Sequence, residues 1–267
     1  MNEFVKVIQV SKRTLELKIS RPEALNALNE HVLRELSNKL LELDNEFRAS
    51  KRKGEFRDDF PRVVLISGDG GKAFVAGADI SKLASADGAD FLDSGISLMA
   101  QLENFAIPTI AVIDGFCLGG GLELALSCDL ICATENSKLG LPEVTLGIIP
   151  GFGGTQRLFR RCGIGTARRL ILSGERIDAR RAYECGIVDF IHSQGGKELS
   201  AFCQKLENLS PLALEAAKKA LFTAEKESKD EGLKTERELF VELLKTDDAK
   251  EGMTAFFEKR PPVFRGS

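Results

Sequence analysis

The chain has 267 residues, 43% hydrophobic and 29% charged, with a formal net charge of −3. Those figures suit one large or two small globular domains with a sizeable core. They exclude the basic footprint of a nucleic-acid binder, and no stretch nears the roughly 20 continuous apolar residues of a membrane span.

The opening residues MNEFVKVIQVSKRT alternate polar and apolar types and lack the apolar run of a signal peptide, so a cytoplasmic protein is expected. Residues 4–10 and 14–19 follow the two-residue period of strands. Pro22 ends the extended run, and Asn29 is placed to cap a helix carrying Val32, Leu33, Leu36, Leu40, Leu41 and Leu43. Residues 48–61 mix both charges densely and predict a solvated loop or helix extension. RVVLISG at 62–68 is a buried strand, followed by the glycine- and alanine-rich loop GDGGKAFVAGAD. A helix over 91–105 stops at Pro108, and 109–113 is another buried strand.

From Asp114 the pattern runs strand, glycine-rich turn, helix (122–127), strand (130–134). Then come KLGLPEVTLGIIPGFGGTQRL and a helix through Leu158 and Phe159. Two short helices at 164–173 and 178–184 precede a strand at 187–191. Everything after residue 195 reads as helix, near 196–207, 211–226, 231–245 and 248–258. The chain therefore divides into an α/β part, 1–195, and a helical part, 196–267.

The six cysteines (Cys117, Cys128, Cys132, Cys162, Cys185 and Cys203) form no CxxC pair and read as buried, reduced thiols. Two histidines, His31 and His192, each read as a surface or capping residue. They are too few for a zinc site or a Ser-His-Asp triad, and no metal is expected.

Three places carry candidate chemistry. Gly119-Gly120-Gly121 ends a strand and opens a helix, so bare N–H groups and the helix N-terminus can meet an oxyanion; a tight turn with close helix packing is the structural alternative. The spacing is neither GxGxxG nor a P-loop. Glu123 in GLELALSC and Glu143 in LGLPEVTLGIIPG lie in apolar runs, where burial raises a carboxyl pKa and suits it to proton transfer. Taken singly, each is better read as a helix-start carboxylate than as a catalyst. Ala76-Gly77-Ala78-Asp79 is a second small-residue loop that can supply an N–H, with Asp79 capping the next helix.

Together these segments resemble the enoyl-CoA hydratase/isomerase family, the crotonases. AFVAGADI is similar to the family's first oxyanion segment and GFCLGGGLELALSCDL to its second. GLPEVTLGIIPGFGGTQRL is similar to its second catalytic segment, and DDAKEGMTAFFEKRPPVF is typical of its C-terminus. The resemblance spans about residues 4–265. It implies an α/β fold, a crotonase-like spiral of ββα units with a C-terminal helical trimerisation region, assembled as a homotrimer or a homohexamer of two trimers.

It also implies roles. The N–H groups of Ala78 and Gly120 would bind a thioester oxygen. Glu123 would activate water and Glu143 would protonate C2, with the backbone of Gly151 positioning Glu143 or the water. Ala24, Ala76, Gly77, Asp79, Ile80, Gly119 and Pro142 match segments along the acyl-CoA. Phe240 and Lys259 match positions near the adenine and phosphate, reached from a neighbouring subunit. Coenzyme A would arrive as part of the acyl-CoA thioester substrate, with no separate cofactor and no nucleic-acid or membrane partner.

The activity implied is reversible syn-addition of water to 2-enoyl-CoA, giving 3-hydroxyacyl-CoA in fatty acid β-oxidation. A double-bond isomerase, a branched enoyl-CoA hydratase and a non-catalytic trimeric scaffold are the alternatives. The charged stretch near 51–60 is longer than most members carry, which bears on access to the coenzyme A site or on the subunit contact.

Overall fold

The computed structural model describes residues 3–84, 86–192 and 196–267. The hairpin β1 (Val5–Gln9) and β2 (Thr14–Ile19) leads into α1 (Glu30–Lys53), whose N-cap Asn29 accepts the Val32 N–H as its position predicts. Then follow β3 (Val63–Gly68), β4 (Ala73–Val75), α2 (Ile80–Leu83) and α3 (Gly88–Glu103). The next unit is β5 (Thr109–Ile113), β6 (Phe116–Leu118) and α4 (Gly120–Leu126). The third is β7 (Leu130–Thr134), β8 (Lys138–Gly140), a 3-10 turn at Glu143–Leu146 and α5 (Gly154–Ser173). After β9 (Ile177–Asp178), α6 (Ala179–Glu184) and β10 (Phe190–His192) come α7 (Lys197–Glu207), α8 (Pro211–Lys226), α9 (Lys229–Leu243) and α10 (Asp247–Glu258).

The strands sort into two sheets, ordered β1-β2-β3-β5-β7-β10 and β4-β6-β8-β9. Each ββα unit gives one long strand to the first sheet, one short strand to the second, and then helix. Strands β2, β3, β5, β7 and β10 run parallel, as do β4, β6 and β8. Parallel strands are covered on both faces, which is why VVLISG, TIAVI and LICAT read as continuous apolar runs rather than alternating ones. Helix α4 is enclosed along its whole length, with all seven residues buried between the sheets and α5. The crossing from one sheet to the other therefore delivers Glu123 into the interior.

Several expectations are corrected. Residues 48–53 do extend α1 as expected, but the stretch beyond it is not merely solvated. Phe56 and Phe60 are buried with Phe47, their rings 5.0–6.1 Å apart, because three aromatic side chains outweigh the exposure their charged neighbours suggest. The two helices expected on either side of residue 163 are both present: α5 is broken at Gly163, whose backbone (φ 75°, ψ 162°) is not helical. A three-residue strand, β4, lies inside the glycine-rich loop. The last strand begins at Phe190 rather than 187; Ile187 and Val188 are buried without joining the ladder.

His192 is buried, not a surface residue, whereas His31 is exposed and stacks on Phe4. Residues 259–267 are not helical; they fold back so that Asp248 accepts the N–H groups of Arg265 and Gly266. The expected boundary at residue 195 lies outside the described residues.

In the helical region α8 packs on α9, yet α9 buries no residue. Leu233, Phe240, Leu244, Phe256 and Phe257 are all exposed.

Candidate active site

The loop after β4 is pinned from one side. Ala76 N–H donates to Leu25 O (3.0 Å), Leu28 N–H to Gly77 O (2.9 Å) and Asp79 N–H to Leu28 O (2.7 Å). Asp79 caps α2 through the Ser81 N–H and pairs with Arg21 at 3.0 Å, as a capping role requires. Among the described residues, Ala78 N–H has no acceptor.

Across from it, Gly119 turns the chain with φ 50° and ψ −127°, a conformation side chains do not tolerate. The turn starts α4, so the Gly120 N–H belongs to a first turn that has no intrahelical partner. A methyl built on Gly120 would lie 3.3 Å from the Ala78 nitrogen, so the two free N–H groups share one small space. Gly121 is needed for a different reason: a Cβ there would come within 2.1 Å of the Val75 carbonyl.

The carboxylates flank this space. Glu123, one turn into α4, is only 2% exposed. Its Oε1 accepts Phe152 N–H at 2.8 Å and Gly154 N–H at 2.7 Å. Burial pushes its pKa up to about 7; the Gly154 N–H restrains the rise, and the charge of Glu143 adds to it. Glu143 opens the 3-10 turn behind Pro142. Burial raises its carboxyl too, and its Oε2 is buried with no hydrogen-bond partner. A Cβ on Gly119 would lie 3.0 Å from Glu143 Oε1, and one on Gly154 would lie 2.9 Å from Glu123 Oε1. Both glycines thus leave room for a carboxylate. Two facing carboxyls with raised pKa values tend to share one proton near neutral pH, giving an acid and a base in one cleft.

The model of the family described as Enoyl-CoA hydratase/isomerase matches residues 10–267. The 2,3-dehydroadipyl-CoA hydratase of Escherichia coli is 41% identical over 263 residues, covering 97% of this chain and 98% of that protein. The short-chain-enoyl-CoA hydratase of Clostridium acetobutylicum is 37% identical over 95% of each chain. The crystal structure of enoyl-CoA hydratase from Bacillus anthracis superposes with a TM-score of 0.89 at 35% identity, covering 99% of this chain and 100% of that one.

The chain belongs to the enoyl-CoA hydratase/isomerase family.

Within this family member, Ala24, Ala76, Gly77, Asp79, Ile80 and Gly119 are gathered by the backbone pairing of residues 25–28 with 76–79 and by the Gly119 turn. Pro142 leads directly into Glu143. Gly151 sits against Leu92, and the N–H groups of its loop that hold a carboxylate are those of Phe152 and Gly154, which hold Glu123. Phe240 lines a groove between α8 and α9 that contains none of these residues, and Lys259 caps the end of α10.

Sequence reasoning did not single out Phe152 and Gly154. The run GFGG was the available signal, since small residues beside a buried carboxylate permit backbone donors to approach. Phe152 also walls the cleft, its ring meeting Phe91 edge-on at 5.8 Å and covering Gly95. Among the described residues no group of three or more His, Cys, Asp or Glu side chains could hold a metal ion.

Proposed function

We propose that this chain is an enoyl-CoA hydratase, catalysing reversible syn-addition of water to 2-enoyl-CoA to give 3-hydroxyacyl-CoA, in fatty acid β-oxidation. The thioester oxygen accepts the N–H groups of Ala78 and Gly120. These donors stabilise the negative charge that builds on that oxygen as C3 is attacked. A water molecule lies between Glu123 and Glu143. Glu123 takes its proton while the oxygen bonds to C3. Glu143 gives its own proton to C2 as the enolate collapses, and a proton returns to Glu143 from Glu123 or solvent.

One observation supports this reading above the others: a buried carboxylate, Glu123, and a half-buried one, Glu143, neither of them ion-paired among the described residues, flank the same pair of free N–H groups. A double-bond isomerase needs one carboxylate to shuttle a proton, which leaves the second as an uncompensated cost of burial. A scaffold needs neither.

The substrate class follows from the relatives, which are named for a dehydroadipyl-CoA and for short-chain enoyl-CoA. Ala24 and residues 76–80 would lie along the coenzyme A moiety, which belongs to the substrate. Phe240 and Lys259 would reach the adenine and phosphate of a neighbouring subunit's substrate. The exposed apolar side chains on α9 and α10 support assembly as a homotrimer or homohexamer. Sedimentation equilibrium is expected to give a mass of three or six chains; a monomer would overturn that assembly. Among the described residues no helix is long and apolar enough to cross a membrane, and the six free, largely buried thiols support a cytoplasmic setting.

The test is turnover. Loss of enoyl absorbance with crotonyl-CoA and longer 2-enoyl-CoAs is expected. Turnover of 3-enoyl-CoA alone would move the assignment to an isomerase.

A further inference from the structure

Behind Glu123 lies a chain of contacts that touches no reacting atom. Arg157, one turn into α5, donates from Nη1 to the Phe152 carbonyl at 2.6 Å and from Nε to Glu103 Oε1 at 2.8 Å. Glu103 ends α3, and its other oxygen lies 3.9 Å from Lys226 of α8. Both partners of the Arg157–Glu103 pair are largely buried, their side chains 14% and 17% exposed. The guanidinium packs against Gly153 through Nη1; that glycine has φ 98°, and a Cβ there would come within 2.2 Å of Nη1. The glycine is thus required both by the turn and by the arginine packed on it.

The geometry of that turn explains what the contact does. The two donors to Glu123 are the N–H groups of Phe152 and Gly154, and the Phe152 carbonyl lies between them in the chain. The Arg157 contact therefore holds the stretch of main chain that joins the two donors. We infer that Arg157, anchored by Glu103, is a positioning residue that sets the orientation and protonation of Glu123 through the 152–154 turn. The inference rests on the acid/base reading of Glu123 and extends it to residues that substrate does not touch.

Charge acts in the same direction. Glu123 is faced by Glu143 from the 3-10 turn, which raises its pKa, and by Arg157 from α5, which lowers it. Glu103 and Lys226 stand behind Arg157. The strands packed on α4 contribute no charged side chain, only the buried thiols of Cys117 and Cys132. Arg157 is therefore the one cation acting on Glu123 among these groups. It works against desolvation to keep a fraction of the carboxyl ionised at neutral pH.

The experiment compares Arg157→Gln, Arg157→Lys and Glu103→Gln with the wild type. The Glu123 carboxyl is titrated by 13C NMR in glutamate-labelled protein, with Glu123→Gln used to assign its signal. Arg157→Gln is expected to move the Glu123 midpoint to higher pH. It should also move the acid limb of kcat the same way and lower kcat at pH 7 about 10- to 100-fold, with KM changing less. Arg157→Lys keeps the charge but cannot span Glu103 and the Phe152 carbonyl in one rigid fork. It should restore the midpoint more than the rate. Glu103→Gln, which loosens the anchor without removing the cation, should lower kcat at an unchanged net charge on Arg157.

Folding is checked by circular dichroism. An Arg157→Gln protein that folds and titrates Glu123 at the wild-type midpoint overturns the inference. Because the titration is read on resting protein, it holds whether or not the enzyme hydrates enoyl-CoA. Loss of the hydratase reading is seen separately, as absence of 2-enoyl-CoA turnover in the wild type.

Discussion

Replacing Glu143 or Glu123 by glutamine is expected to lower kcat for 2-enoyl-CoA hydration by about 10²- to 10⁴-fold, with KM little changed. Each variant keeps the shape of the cleft and removes one proton-transfer group. For Glu123 the backbone donors stay satisfied, because the glutamine carbonyl can still accept Phe152 and Gly154 N–H.

The same substitution should move stability the other way. The folded pKa of Glu123, about 7, lies above the ordinary carboxyl value of 4.5. A raised carboxyl contributes stability that is present below the unfolded pKa and lost as pH rises through the folded one. The native state therefore bears an ionised, desolvated carboxylate above pH 7, at a cost of about 3 kcal/mol at most. Glu123→Gln removes that cost. Urea unfolding at pH 8 is expected to show a variant more stable by about 1–3 kcal/mol, with the gain vanishing near pH 4.5. A variant that loses both activity and stability at pH 8 would mean that Glu123 serves the fold rather than the reaction.

The second large effect concerns the space between the two loops. Gly120 has an ordinary helical backbone, so alanine is tolerated conformationally. Its methyl would lie 3.1 Å from the Phe152 ring and 3.3 Å from the Ala78 nitrogen, where the thioester oxygen is proposed to sit. Relaxation by a few tenths of an ångström accommodates the methyl but not an oxygen beside it. Gly120→Ala is expected to fold and to lose about 10²- to 10³-fold in kcat/KM, the scale of one missing oxyanion donor.

Gly121→Ala is the matched control. Its methyl meets the Val75 carbonyl at 2.1 Å, a backbone atom held in β4, so α4 must shift away from the sheet. That variant should lose about 3 kcal/mol of stability by overpacking, measured by thermal unfolding, rather than activity alone. Equal losses of rate and stability in both variants would mean that the glycines serve packing only.

Much of this site was legible in the sequence because its chemistry depends on backbone. Small residues cluster where N–H groups must be approached, and Gly119-Gly120-Gly121 and Ala76-Gly77-Ala78 mark both loops. Glu123 and Glu143 stood out as charges in apolar runs. Their partners were harder to see. Phe152 and Gly154 act through main-chain donors that no side-chain pattern reports, and Arg157 finds Glu103 across 54 positions of sequence. In the fold, long apolar strands and capped helices were readable. The three-residue strand β4 was not, since its pairing with β6 is set by the packing of α4 rather than by local pattern. The burial of Phe56 and Phe60 was masked by the charges around them, because contacts among Phe47, Phe56 and Phe60 decide it and composition does not.

Isotope tracing tests the central claim most directly. The protein is incubated with a 2-enoyl-CoA in 18O-labelled water, in parallel with deuterium oxide, and the product is read by mass spectrometry and NMR. Hydration by this cleft predicts 3-hydroxyacyl-CoA carrying 18O at C3 and a single deuterium at C2, added to the same face, with the label lost in Glu123→Gln and Glu143→Gln. A double bond moved between C2 and C3 with no 18O incorporated, or labelling that persists in both variants, would contradict it.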